Sequence, residues 1–158
     1  MNYNLDIKTS QRNIDYLKAI NFMETKVENI LNKNHNEMIW FLNHNHIYTC
    51  GTSSKKDEII NKTNTPIIKT NRGGKTTYHG PGQRIVYLMI DLNKRKKDIR
   101  KFVGMIEDSI IELLDKLGVE SETYNERVGI WIPKSIKNQF DKERKIAAIG
   151  LRIRKWIT

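Results

Sequence analysis

The residues from Arg72 to Gln83, Arg-Gly-Gly-Lys-Thr-Thr-Tyr-His-Gly-Pro-Gly-Gln, carry the densest potential for chemistry in the chain. Glycine lacks a Cβ, so a ligand can approach its backbone closely and the chain can turn where other residues cannot. Arg72, Thr76, Thr77, Tyr78 and His79 supply donors and acceptors at the rim of that approach. A hairpin with polar residues in solvent is the plainer reading. It has no need of two glycine breaks, Gly73-Gly74 and Gly80-Pro81-Gly82, around a Thr-Thr-Tyr-His stretch. The segment therefore reads as a binding loop. Gly74-Lys75-Thr76 imitates the end of a phosphate-binding P-loop, but Lys69 stands where that motif needs its first glycine and a Gly-Pro break where it needs a helix.

Three other groups invite chemistry. Cys50 is the single cysteine, at the end of an expected strand; a lone cysteine there is more often a half-buried structural thiol than a nucleophile. It excludes an internal disulfide framework and fits a reducing cytoplasm. His44 and His46 would share a face of an extended strand, but a metal site needs a third ligand such as His79, and nothing in the sequence requires one to converge. No metal or cofactor is assigned. Lys145, beside Lys142 and Arg144, reads by itself as part of a solvated basic run. The small, apolar Ala147-Ala148-Ile149-Gly150 that follows it suggests a strand entering a core.

These groups need elements to position them. Ile14, Leu17, Ile20, Met23, Val27 and Ile30 recur at helical steps and predict a helix from about Asn13 to Leu31, with Thr9 and Ser10 upstream as candidate caps. Met38–Leu42, Ile47–Gly51, Pro66–Thr70, Lys75–Tyr78 and Arg84–Leu92 read as strands, with Lys55–Ile60 as one helical turn or a charged loop. A second helix spans Lys97–Leu117, with Phe102, Met105, Ile106, Ile110, Leu113, Leu114 and Leu117 on one side and Gly118 to end it. Strands around Val128–Ile132 and Ile146–Ile153 follow, separated by a polar loop that includes Lys134 to Lys142. Strand and turn alternate without intervening helices, so the expected class is α+β: a mixed or antiparallel sheet with helices on one face.

At 158 residues, 38% hydrophobic and 29% charged, the chain suits one globular domain over residues 1–158. No apolar run approaches the roughly 18–20 residues that cross a bilayer, and Met1–Thr9 has no signal-peptide stretch. The net charge of +10 comes from lysines scattered through a Lys-, Asn- and Ile-rich sequence. Without a zinc-finger, zipper or aromatic RNA-binding pattern it does not argue for nucleic acid, and it equally favours acidic protein partners.

The run Arg-Gly-Gly-x-x-Thr-Tyr-His-Gly-Pro-Gly-Gln, filled here from Arg72 to Gln83, closely resembles the signature of the lipoyl(octanoyl) transferases. The resemblance covers most of the chain. Tyr48-Thr49-Cys50-Gly51 resembles that family's Tyr-Thr-x-Gly, Gly129-Ile130-Trp131 its Gly-Val-Trp, and Lys145 to Arg152 its Lys-Ile-Ala-x-Ile-Gly-Val-Arg. Of its Glu-His-Pro-Pro, only His44 is met; Asn43, Asn45 and His46 depart from it. The ATP-dependent lipoate ligases, which share the expected fold, have a Ser-Gly-Gly-Gly run and lack Thr-Tyr-His-Gly-Pro-Gly-Gln.

The resemblance implies a fold similar to biotin and lipoate protein ligase catalytic domains. It implies an acyltransferase that moves octanoyl from octanoyl-acyl carrier protein, by way of a cysteine, to a lysine of a lipoyl domain of 2-oxo acid dehydrogenases or of the glycine cleavage H protein. Arg72, Gly73, Gly74, Lys75, Thr76, Thr77, Tyr78 and His79 would line the acyl pocket, with Ala148, Ile149 and Gly150 on its other wall. Lys145 would be the catalytic lysine: an ammonium stabilises a nearby thiolate, and a partly desolvated amine can shuttle protons. The family's cysteine follows a His-Gly element in a Pro-Cys-Gly context, and no cysteine stands among residues 146–158. The expectation is thus a truncated transferase, inactive alone; the alternative is a remnant that binds acyl chains or lipoyl domains without chemistry.

Overall fold

The computed structural model describes residues 4–60, 64–134 and 141–158. They divide into two compact units, one of Met1–Lys97 with Leu151–Thr158 and one of Asp98–Gly150.

In the first unit, alternating Leu5-Asp6-Ile7-Lys8-Thr9 forms β1 (Leu5–Thr9), with its side chains alternating in exposure. Helix α1 (Tyr16–Leu31) begins later than its periodicity suggests, because Asp15 is the residue whose side chain accepts from Lys18 N, at 3.0 Å. Neither expected cap serves: Thr9 belongs to β1 and Ser10 Oγ accepts the Trp40 indole N–H at 2.9 Å. Ala19 and Ile30 are buried against Trp40, Leu42, Met89 and Ile157, with Phe22, Met23 and Val27 packed around them. Leu17, expected on that face, is 54% exposed. Lys26 takes an inward position instead, its ammonium 3.0 Å from Asp6.

Strand β2 (Glu37–Leu42) lies between β1, parallel to it, and β6 (Ile85–Met89), antiparallel. Helix α1 is the crossover that a parallel β1–β2 pair requires. A second ladder centres on β3 (Ile47–Cys50), with β4 (Ile67–Lys69) parallel on one side and β5 (Thr76–His79) antiparallel on the other. The Lys55–Ile60 stretch contains a short 3-10 turn, Lys56–Glu58. The apolar run after β6 leaves the ladder at Met89, and the chain turns through a second 3-10 segment, Leu92–Lys94, started by Asp91. There the buried Glu37 carboxylate receives both Arg95 guanidinium nitrogens at 2.6 and 2.8 Å and the Asp91 N–H at 2.9 Å. Residues 154–158 return along this edge: Leu92 N donates to Trp156 O at 2.7 Å and Thr158 N to Ile90 O at 3.0 Å.

In the second unit, α2 (Ile99–Lys116) starts on Asp98, whose carboxylate accepts from Lys101 N at 2.9 Å. It ends as expected at Gly118, in the left-handed region at φ +73°, with Gly118 N on Asp115 O and Val119 N on Leu114 O. Of its apolar stripe only Leu114 is buried; Met105, Leu113 and Leu117 are 55–68% exposed. Strands β7 (Glu122–Tyr124), β8 (Arg127–Ile132) and β9 (Arg144–Ala147) form an antiparallel ladder. The strand expected over Ile146–Ile153 is thus shorter and earlier. Beyond Ala147 the ladder stops; Leu151 already belongs to the first unit, where its carbonyl accepts from Gly73 N at 3.1 Å. Part of the polar loop read over Lys134–Lys142, residues 135–140, lies outside the described residues.

The class is α+β, with nine strands among the described residues in three three-stranded ladders. Among the described residues no helix is long and apolar enough to cross a membrane.

Candidate functional site

Two of the expected residues, Arg72 and His79, meet around a hydroxyl that is wholly buried. Thr49, on the central strand β3, accepts from Arg72 Nη2 at 2.7 Å through Oγ1 and at 2.8 Å through its carbonyl. Arg72 Nη1 caps the Gly73 carbonyl at 2.9 Å, so the guanidinium fastens the glycine turn to β3. On the other side, His79 Nε2 lies 3.2 Å from Thr49 Oγ1 and His79 Nδ1 lies 2.8 Å from Gln83 Oε1. Gln83 Oε1 can only accept, so Nδ1 carries the proton and Nε2 receives the threonine hydroxyl. Burial favours that neutral imidazole and pushes the His79 pKa below its ordinary value, against the opposing pull of Gln83.

Glycine is required where β3 meets the turn. A Cβ on Gly51 would stand 2.3 Å from the Gly74 carbonyl oxygen and 2.8 Å from Arg72 Nη1. Gly74 itself has φ +92°, which only glycine adopts without strain. Thr52 N donates to Arg72 O and Ser53 N to Gly74 O, which knit the two segments together. Thr76 N donates to Glu58 at 2.9 Å, and Thr76 Oγ1 lies 3.6 Å from Cys50 Sγ. Thr77 pairs with Thr49 across the ladder, while Lys75 is exposed. Tyr78 is half in solvent, its hydroxyl on His46 Nδ1.

Behind His79 stands a cluster that the sequence reading missed. His44 is fully buried: Nδ1 donates to the Ile14 carbonyl at 2.7 Å and Nε2 accepts the Tyr87 hydroxyl at 2.8 Å. The Tyr16 ring meets His44 edge-on at 5.3 Å and stacks on His79 at 6.4 Å. Burial lowers the His44 pKa and raises those of Tyr16 and Tyr87. All four rings are therefore held neutral. His44 and His46 do not share a strand face, since β2 ends at Leu42 and β3 begins at Ile47. Among the described residues no group of three His, Cys, Asp or Glu side chains could hold a metal.

In the second unit, Lys145 lies on β9 opposite Trp131. Its ammonium donates to the Val128 carbonyl at 2.7 Å and stands 4.8 Å from the centre of the Trp131 ring. Ala148 and Gly150, just past β9, are exposed and Ile149 is half-buried.

The α+β architecture is that of the lipoate protein ligases. The bi-partite lipoate protein ligase of Thermoplasma acidophilum superposes with a TM-score of 0.64 at 15% identity, covering 96% of this chain and 58% of that one. Sequence narrows the class: residues 15–158 match the lipoyl protein ligase A/B catalytic domain, and the chain belongs to that family. The octanoyltransferase of Bartonella henselae is 43% identical over 155 residues, and that of Nitrobacter winogradskyi 41% over 154. The alignments cover 96% and 98% of this chain but 63% and 66% of those proteins, so the chain spans less than two thirds of their length.

Proposed function

We propose that this chain supplies the acyl-binding segment and the catalytic lysine of a cytoplasmic octanoyltransferase in protein lipoylation. The observation that carries the reading is the joined Arg72–Thr49–His79 arrangement, which braces the glycine-rich turn, in a chain 43% identical to a protein named octanoyltransferase. A braced turn with bare glycine backbone suits a flat, weakly polar thioester group and the alkyl chain behind it.

In the proposed reaction a cysteine thiolate attacks the carbonyl of octanoyl-acyl carrier protein. The carrier's C–S bond breaks and its sulfur takes a proton. The amine of a lipoyl-domain lysine then attacks the new thioester, forming the amide C–N bond as the second C–S bond breaks; the proton lost by the amine returns to the cysteine. Lys145 is the group to which we assign these proton movements and the stabilisation of the thiolate. Residues 146–158 contain no cysteine. Cys50, on β3 beside Thr76, is left a structural role. Acyl binding is assigned to Arg72 to His79 and, from the family resemblance, to Ala148, Ile149 and Gly150.

The test is a fusion. Joining to Thr158 the residues that follow the matched region in the Bartonella henselae octanoyltransferase should give octanoyl transfer from octanoyl-acyl carrier protein to a lipoyl domain. Lys145→Met should lower kcat about 10²- to 10⁴-fold. The unfused chain should form no hydroxylamine-sensitive octanoyl adduct. A folded fusion that transfers nothing would overturn the proposal.

A further inference from the structure

Gly129 and Trp131 belong to β8, opposite the strand that bears Lys145, and each faces that lysine with an unusual feature. Gly129 is buried at φ +116°, a conformation side-chain-bearing residues rarely adopt. A Cβ there would stand 2.5 Å from the Ala147 carbonyl oxygen and 3.2 Å from both Cε and Nζ of Lys145. The missing side chain thus leaves room first for the Ala147 carbonyl and next, in tight contact, for the end of the lysine. The β8–β9 register shifts between Ile130 and Trp131, and the amine meets two electron-rich groups there, the Val128 carbonyl at 2.7 Å and the Trp131 ring at 4.8 Å.

We propose that Gly129 and Trp131 are positioning residues for Lys145: the glycine makes the slot, and the indole face with the Val128 carbonyl holds the amine in it as an ammonium. The inference rests on the catalytic assignment of Lys145 for its meaning in the reaction, but not for its test. The slot has charged neighbours on each packed element. Arg127 of β8 stands 4.3 Å from the same indole ring and pairs with Glu143, just before β9. Tyr124 of β7 is edge-on to that ring at 6.1 Å, and Glu107 of α2 accepts from Gly129 N at 3.2 Å. Arg127 and Glu143 offset one another, while the ring, the carbonyl and the Glu107 carboxylate all favour positive charge on Lys145.

An amine reacts with an acylating reagent only as its free base, so the reaction rate of Lys145 reports how firmly the ammonium is held. Competitive acetic anhydride labelling of the 158-residue chain, followed by peptide mass spectrometry across pH 7–10, measures it. Trp131→Leu should speed Lys145 labelling about two- to fivefold at a fixed pH below its midpoint, the range of an exposed cation–π contact. Trp131→Phe, which keeps a ring, should stay near the unsubstituted chain. Exposed Lys142 is the internal reference: general loosening speeds both lysines, loss of the slot only Lys145. Gly129→Ala should also change Lys145 selectively. Equal rates at Lys145 in the Leu, Phe and unsubstituted chains, or parallel changes at Lys142, overturn the proposal. Failure of the catalytic assignment looks different: labelling responds as expected, while the Lys145→Met fusion still transfers octanoyl.

Discussion

Thr49 gives one hydroxyl and one carbonyl to Arg72 and faces His79 on its other side, with no access to water. Removing the hydroxyl leaves a half-buried guanidinium N–H short of an acceptor and an imidazole nitrogen short of a donor. Thr49→Val should therefore cost about 1–3 kcal/mol of stability in urea denaturation, while Thr49→Ser costs far less. The two imidazoles add a pH dependence. Burial lowers the pKa of His44 and His79 below the ordinary 6.5. As pH falls, the unfolded chain takes up these protons before the folded one does. The stability they contribute is complete above about pH 6.5 and drains away below it. His44→Gln should flatten the difference in unfolding free energy between pH 7.5 and 5.5; an unchanged slope would acquit His44. The sequence exposed Arg72 and His79 because glycines surround them. It hid Tyr16 and Tyr87, whose partners lie tens of residues away in the chain, so no local pattern marks them.

At the scale of elements, periodicity located both helices and the strands with strong apolar patterns. It failed where packing overrides pattern. The polar-apolar alternation of β1 is visible in hindsight, but β7 holds only three residues and has no apolar signal. The apolar periodicity of α1 runs through Leu17, yet the face that meets the core runs through Ala19, a small residue whose burial depends on what approaches it. Strand β9 pairs only as far as Ala147, opposite Ile130, next to Gly129 at φ +116° and a register shift between Ile130 and Trp131, something a one-dimensional apolar run cannot convey. The β3–turn junction makes the sharpest test of element packing. Gly51→Ala sets a methyl 2.3 Å from the Gly74 carbonyl, so either β3 or the turn must move. It should cost about 1–3 kcal/mol, as overpacking does, and shift the NMR resonances of Arg72 and Thr76. Gly82→Ala is its control for a glycine with open space around it, although φ +84° still adds backbone strain.

Over the whole molecule, the α+β class followed from strands alternating with turns between two amphipathic helices, but the division into two units did not. Residues 151–158 return to the first unit, against Ile90 and Leu92, after the chain has built the second. That return seals a core of Ala19, Ile30, Trp40, Leu42, Met89 and Ile157. Among the described residues of the second unit, only Leu114 and Ile130 are buried apolar side chains, and α2 leaves Met105, Leu113 and Leu117 largely in water. Local opening is governed by how much apolar surface an element must expose to open, so the two units should not open at the same free energy. Native-state hydrogen exchange in sub-denaturing urea should find the slowest amides on β2 and β6, near Trp40 and Tyr87. They should exchange only through global unfolding. Amides of β8 and β9 should exchange through a smaller opening, with weaker urea dependence, and join the global class only as the denaturation midpoint is neared. If instead the β8 and β9 amides match those of β2 in both free energy and urea dependence, the units unfold as one. The exposed face of α2 would then have no bearing on the stability of its own ladder.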